Sequence, residues 1–460
     1  MKAVIKMICV MMIACAAGFA IAAASPALAG AAEVGKVQDV MLTVYNQNLA
    51  LVKETRAFDF TQGLNYLTLS GVPSAIDTTS VHFKALSGMV ELLEQNYDYD
   101  LVSRNKLLMK YIGETITIRN GDDVKQVKLL SVADGLVVED HGKILLNPPG
   151  DIELPSLPGG LLLQPTLEWQ VNSPKAYSTL GEVSYLTGGL SWNADYVVML
   201  SDNEKLGDLE GWVTMHNTSG ASYEDAKLKL VAGEIHRATP FAAPSADRLT
   251  MAFEAADAKS FEEETLFEYH LYTLQRPTTI KDNQDKQISL LTAQDIPMTK
   301  VYTFDPDWRG NNVEVRVEFK NSQENRVGMP LPAGRVRVFK RDSEGSAQLV
   351  GEDNVPHTPK DEMVRLLLGN AFDVKGEKVQ TNYIDKKTGY QQSFEVIIRN
   401  HKKEDIVVVV PQHIGYANWK IVASSIEYRK TDALNIEFKV PVKADGETKL
   451  TYTMDVWWAV

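Results

Sequence analysis

Apolar and polar residues alternate along most of this chain. Val313, Val315, Val317 and Phe319 are interleaved with Glu314, Arg316, Glu318 and Lys320. Leu450, Tyr452, Met454, Val456 and Trp458 alternate with more polar neighbours, and Arg335, Arg337 and Lys340 interleave with Val336, Val338 and Phe339. A period of two sends successive side chains to opposite faces, so these segments read as strands with one buried and one wet face, as in antiparallel sheets. Turn signals separate them at Asn120-Gly121-Asp122, Asp134-Gly135, Ser343-Glu344-Gly345, Lys387-Thr388-Gly389 and Ala444-Asp445-Gly446. No sustained helical period argues for an α/β architecture, and no fixed short repeat argues for a propeller or solenoid. The pattern predicts a mainly β, multi-domain antiparallel β-sandwich architecture.

One short helix is expected. Ser103 caps it, Leu107, Leu108, Tyr111 and Ile112 form its apolar face, and Gly113 ends it. Five short strands follow, at Thr115–Ile118, Val124–Ser131, Leu136–Glu139, Ile144–Leu146 and Ile152–Leu154. That order suits a small SH3-like barrel inserted at about residues 111–155 of an N-terminal β domain spanning 30–180. The competing reading continues these strands into the larger sheet. A middle β region, 181–299, carries strands at Val183–Leu186, Tyr196–Leu200, Leu209–His216 and Ala226–Val231. Its stretch from Thr239 to Glu264 is Ala-, Pro- and Glu-rich and is expected to be a mobile excursion. Residues 300–460 read as a C-terminal sandwich.

The chain opens differently. Lys2 and Lys6 precede an apolar run from Met7 to Ala24, Pro26 breaks it, and Ala27-Leu28-Ala29 follows. That order is a secretory signal peptide, residues 1–29, cleaved near Ala29. It implies a periplasmic or secreted protein. An uncleaved anchor and a lipid-modified Cys15 compete, but Met12 starts a poor lipobox and small residues flank the proposed cut. Both cysteines, Cys9 and Cys15, fall inside the leader, which leaves the mature chain without thiols. The full chain carries −13, and removing Lys2 and Lys6 leaves −15. This balance disfavours nucleic acid and anionic membrane surfaces as partners.

Four segments carry a family resemblance. They are Val44-Tyr45-Asn46-Gln47-Asn48-Leu49-Ala50-Leu51-Val52, Glu94 to Leu101, Tyr185 to Tyr196, and Asn325 to Gly334. Together they resemble a family of exported bacterial β-rich proteins whose C-terminal region is similar to that of the mucoidy-inhibitor type proteins. The resemblance implies an exported β-rich protein of the envelope. It brings no catalytic residues, and the long coiled coil of those relatives is not evident here.

Candidate chemistry is sparse. The eight histidines form neither His-x-His nor His-Glu-x-x-His, and the aspartates near 282 and 305 lack calcium-loop spacing, so no metal or cofactor is expected. No Gly-x-Ser-x-Gly elbow is present. Glu94, Asp98 and Asp100 stand out, with Tyr97 and Tyr99 between them. If extended, Asp98 and Asp100 share one face, at a spacing that overlaps that of glycosidase carboxylates. The competing reading is that acids before a helix are favoured by its dipole. Trp457-Trp458 raises an outer-membrane barrel, against which the insert and uneven strands argue. The expectation is a non-enzymatic binding or scaffolding protein of the cell envelope, with an envelope protein or polysaccharide as partner and no integral membrane domain. The alternative is a carbohydrate-active hydrolase using Glu94, Asp98 or Asp100.

Overall fold

The structure is a computed structural model that describes residues 32–158, 161–233, 235, 261–267 and 269–458. The leader and most of the 239–264 stretch lie outside the described residues. The fold is mainly β, and the chain forms two compact units. The first takes the described residues up to Lys36, with Ala57–Gly71 and Ala85–Leu180; the second takes Val37–Arg56, Val72–Lys84 and Gly181–Val460. The expected 30–180 domain is therefore divided. Val37–Tyr45 joins the second unit because it pairs in parallel with Tyr223–Ala232, far along the chain.

In the first unit a four-stranded sheet runs in the order Ala32–Glu33, Gly63–Ser70, Thr166–Ser173, Glu91–Asp98. Its apolar face buries Leu67, Leu69, Leu167, Trp169 and Val171. Phe58 stacks on Trp169 with ring centroids 6.2 Å apart. The same unit holds the predicted helix, Arg104–Lys110, whose Ser103 cap accepts a hydrogen bond from the Lys106 amide. The five predicted strands follow it at Thr115–Asn120, Asp123–Ser131, Val137–Asp140, Lys143–Leu146 and Asp151–Glu153. The first four form a meander, and the fifth returns beside the first, which is the order expected of an SH3-like insert. Leu108 and Tyr111 of the helix end pack with Ile116, Ile118, Val127, Leu129 and Val138 into a core of their own.

The second unit contains a five-stranded sheet in which Leu190–Leu200 lies between Leu206–Asn217 and Gly334–Arg341. A nine-stranded sheet runs from Asn418–Ser424 at one edge to Tyr428–Lys430 at the other. It folds over on itself: Phe438 and Tyr452, on strands well separated in the sheet order, bring their rings to 4.8 Å. This is the C-terminal sandwich, and Phe304, Val374, Ile398, Val408 and Val440 are among its buried residues.

Two expectations need correction. The sheets are mixed rather than antiparallel throughout: among the described residues four strand pairings are parallel, including Leu190–Leu200 with Gly334–Arg341 and Thr299–Phe304 with Ile406–His413. Alternation reports which face is buried but not which strand lies alongside or its direction. Second, the end of the expected excursion is ordered. Phe261–Leu266 is a strand paired with Tyr269–Leu274, and the buried Phe261 ring anchors it. Glu263, from the acidic run, reaches His270 Nδ1 at 2.7 Å.

Candidate functional site

The three acids singled out in the sequence lie on or just past the Glu91–Asp98 strand of the first unit. Glu94 stands opposite Gln170 and Asp98 opposite Thr166. Both are on the polar face, because the intervening Gln95 is on the Trp169 side and accepts that indole N–H at 2.9 Å. Asp100 lies beyond the strand. Lys106 Nζ sits 2.8 Å from its carboxylate, and that hydrogen bond holds its pKa below the usual range. Asp100 thus pairs with the first turn of the helix rather than with Asp98.

The carboxylate that does meet Asp98 is Glu168. Register places Glu168 opposite Asn96, diagonal to Asp98 on the same face. Burial raises the Glu168 pKa, and the charge and hydrogen bond of Asp98 raise it further. Tyr97, opposite Leu167, is on the other face of the strand from this pair, and its ring stacks on Tyr99 with centroids 5.6 Å apart. Sequence reasoning misses Glu168 because it lies some seventy residues away. Alternation could have placed it on a polar face, but not beside Asp98.

The other resemblance-bearing segments prove to be joints of the second unit. Trp192, Ala194 and Tyr196 are buried. Trp192 Nε1 donates to the Val231 carbonyl, and Tyr196 donates to the Pro332 carbonyl at 2.8 Å. The Asn48 side chain accepts from the Gly189 amide at 2.9 Å. Gly334 lies against Ala194, where a Cβ would sit 2.2 Å from the Ala194 carbonyl oxygen. Tyr185 donates to Glu54 at 2.6 Å, and Glu54 also holds Arg56 in a buried ion pair. On the face of Leu190–Leu200 opposite Trp192 and Tyr196, Asn193 bonds His216 of Leu206–Asn217, which also meets Asp285, and Asn193 donates to Asp195. These bonds form a ladder across an open sheet face. Among the described residues no three His, Cys, Asp or Glu side chains gather in a way that could hold a metal.

No family model and no curated protein matches this chain. The site must be read from geometry alone, and the second unit offers two candidates.

The first is a cleft of about 330 Å³ with an apolar floor that includes Val315, Val317 and Leu368. A ladder of alternating charges runs along its wall. Lys340 Nζ donates to Glu204 at 2.5 Å, Glu204 also takes Lys300, Lys300 approaches Glu404 at 3.5 Å, and Glu404 takes Lys402. Lys402 also donates to the Tyr302 hydroxyl at 2.8 Å. Burial alone would lower the Lys402 pKa, but its bonds to Glu404 and Tyr302 win and raise it. Burial alone would raise that of Glu204, but Lys300 and Lys340 hold it below its usual value. Phe372, 88% exposed, stands at the margin.

The second is a cluster of rings at one end of the C-terminal sandwich. Tyr383 and Tyr390 face each other near the tip of the hairpin formed by Met363–Lys386 and Gly389–Asn400, with centroids 5.9 Å apart. Tyr416 and Trp458 complete the group, 5.9 Å from each other and 6.0 and 6.4 Å from Tyr390.

Proposed function

We propose that this chain is an exported, non-enzymatic binding or scaffolding protein of the cell envelope, and that it takes a partner protein in the cleft beside the lysine–glutamate ladder. One observation carries the reading: alternating charges border an open apolar floor, with Phe372 exposed at the edge. Apolar centre and charged rim are the anatomy of a protein interface, and alternating signs favour one register over others. The leader pattern and the family resemblance support export.

A photocrosslinking residue in place of Phe372, used in living cells, tests this. One dominant envelope adduct is expected, reduced by Lys340→Glu and unaffected by a charge reversal at Lys227, which pairs with Asp39 and does not line the cleft. Adducts that ignore Lys340→Glu would sink the reading.

The hydrolase is the second reading, and the Asp98–Glu168 pair favours it: a carboxyl with a raised pKa beside a second acid can serve as a general acid. Against it, carboxyls in hydrogen-bond contact are closer than the roughly 5 Å that glycosidases keep between theirs. Release of reducing sugar from envelope polysaccharide, lost in Asp98→Asn and Glu168→Gln, would promote this reading over the first.

A further inference from the structure

We propose that the ring cluster formed by Tyr383, Tyr390, Tyr416 and Trp458 is a binding platform for a neutral polysaccharide chain.

Three chain segments converge to build it. Tyr383 and Tyr390 come from the hairpin, Tyr416 from the loop before Asn418–Ser424, and Trp458 from just past the Gly446–Trp457 strand. Their exposure separates them from core rings. Tyr383 is 52% exposed, Tyr416 45% and Trp458 40%, whereas Tyr452 and Phe438 of the same sandwich are buried. A contiguous exposed aromatic surface is uncommon on a protein that has no use for it.

The platform is held in shape before any ligand arrives. The Trp458 amide donates to the Thr388 carbonyl at 3.0 Å, which ties the chain end to the hairpin turn. Gly389 permits this closeness, since a Cβ there would lie 2.1 Å from the Val456 carbonyl oxygen. Rings fixed in advance lose little entropy on binding.

The chemistry selects the ligand. Flat ring faces receive the C–H faces of pyranose rings, and phenol hydroxyls both donate and accept toward sugar hydroxyls. Among the described residues, none of the three phenols is hydrogen-bonded to protein. Of the two lysines at the hairpin turn, Lys386 pairs with Asp455, while Lys387 makes no ion pair among the described residues. The four side chains of the platform themselves offer ring faces, three phenol hydroxyls and an indole N–H, and no charged group. The chain's net charge of −13 also repels acidic polysaccharides and anionic lipid.

This platform is separate from the cleft, so failure here leaves the partner-protein reading standing. The test is calorimetric titration of the purified protein with neutral glucan, chitin and mannan hexasaccharides, with tryptophan fluorescence followed in parallel. Polygalacturonate and phosphatidylglycerol vesicles serve as acidic and membrane competitors. At least one neutral hexasaccharide is expected to bind and to perturb the fluorescence. Trp458→Ala and Tyr416→Ala should each weaken that binding about tenfold, as truncation of an aromatic anchor does. Because Trp458→Ala touches the hairpin closure, Tyr383→Ala provides the variant whose melting should stay at the wild-type value while affinity falls severalfold. Binding by none of the neutral probes overturns the proposal. So does binding that survives in a normally melting Tyr383→Ala/Tyr416→Ala double variant, or binding only to vesicles or polygalacturonate.

Discussion

Single side chains carry three tests of this structure. Glu54 and Arg56 form an ion pair at 5% and 6% exposure, with Tyr185 donating to the same carboxylate. Removing one partner of such a pair strands the other charge, so Glu54→Gln should cost about 3–5 kcal/mol in urea unfolding. Replacing both charges with apolar residues should cost less. The ladder at the cleft is half-exposed and weaker. Glu204→Gln should cost about 1 kcal/mol near neutral pH, the upper end for surface pairs. The Glu204 pKa is held below its ordinary 4.5. Its stabilisation is therefore complete above that value and fades as pH falls through the depressed value, so the gap between wild type and Glu204→Gln should close in acid. Glu168 has the opposite sign. Its pKa is raised, so its protonated form is favoured by folding, and stability is lost as pH rises above 4.5 through the raised value. Glu168→Gln should then melt slightly above wild type near neutral pH and not in acid. None of these three roles is visible in the sequence, because each depends on a partner that the fold supplies. Glu54 has a near neighbour in Arg56, but only the packing buries them beneath Tyr185.

At the scale of elements, close approach and closure are the points to probe. The parallel pairing of Leu190–Leu200 with Gly334–Arg341 leaves no room for a Cβ at Gly334. Gly334→Ala should destabilise by about 1–3 kcal/mol through overpacking, read from the urea midpoint. Gly345→Ala provides the comparison, since nothing lies within contact of its Cβ and only its positive φ opposes the change. The small five-stranded insert closes where it opens, with Thr117 directly opposite Glu153. Replacing Thr115 to Glu153 with a short Gly/Ser linker should leave the rest of the protein with a cooperative melt, because the insert's core is its own. Loss of that transition would show that these strands are needed by the rest of the fold. This insert was legible almost strand by strand. Each of its elements is local, is set off by a Gly-containing or polar turn and pairs mostly with the next. The parallel strand pairs were not legible, since nothing in an alternating segment says which distant strand lies beside it.

At the scale of the molecule, the leader reading predicts a mature chain that begins at about Gly30 and contains no cysteine. Intact-mass measurement on envelope fractions checks the first part, and a melting temperature indifferent to reductant checks the second. A retained leader or a lipid on Cys15 would refute the export reading. The alternation of apolar and polar residues determined that this is a β protein, with its turns, the helix capped by Ser103 and its compact insert, because those features depend on neighbours within a few residues. It also marked Glu94, Asp98 and Asp100 as unusual. Only the tertiary structure decided what these residues meet. It drew Asp100 to Lys106, set Glu168 against Asp98, and turned the segments around Trp192 and Gly334 into packing joints. It likewise gathered three lysines and Glu204 along one cleft, with Glu404 bonded to two of those lysines, and four rings at one end of a sandwich. Those groups come from segments scores of residues apart. Strand order and register bring them together, and a period of two leaves both open.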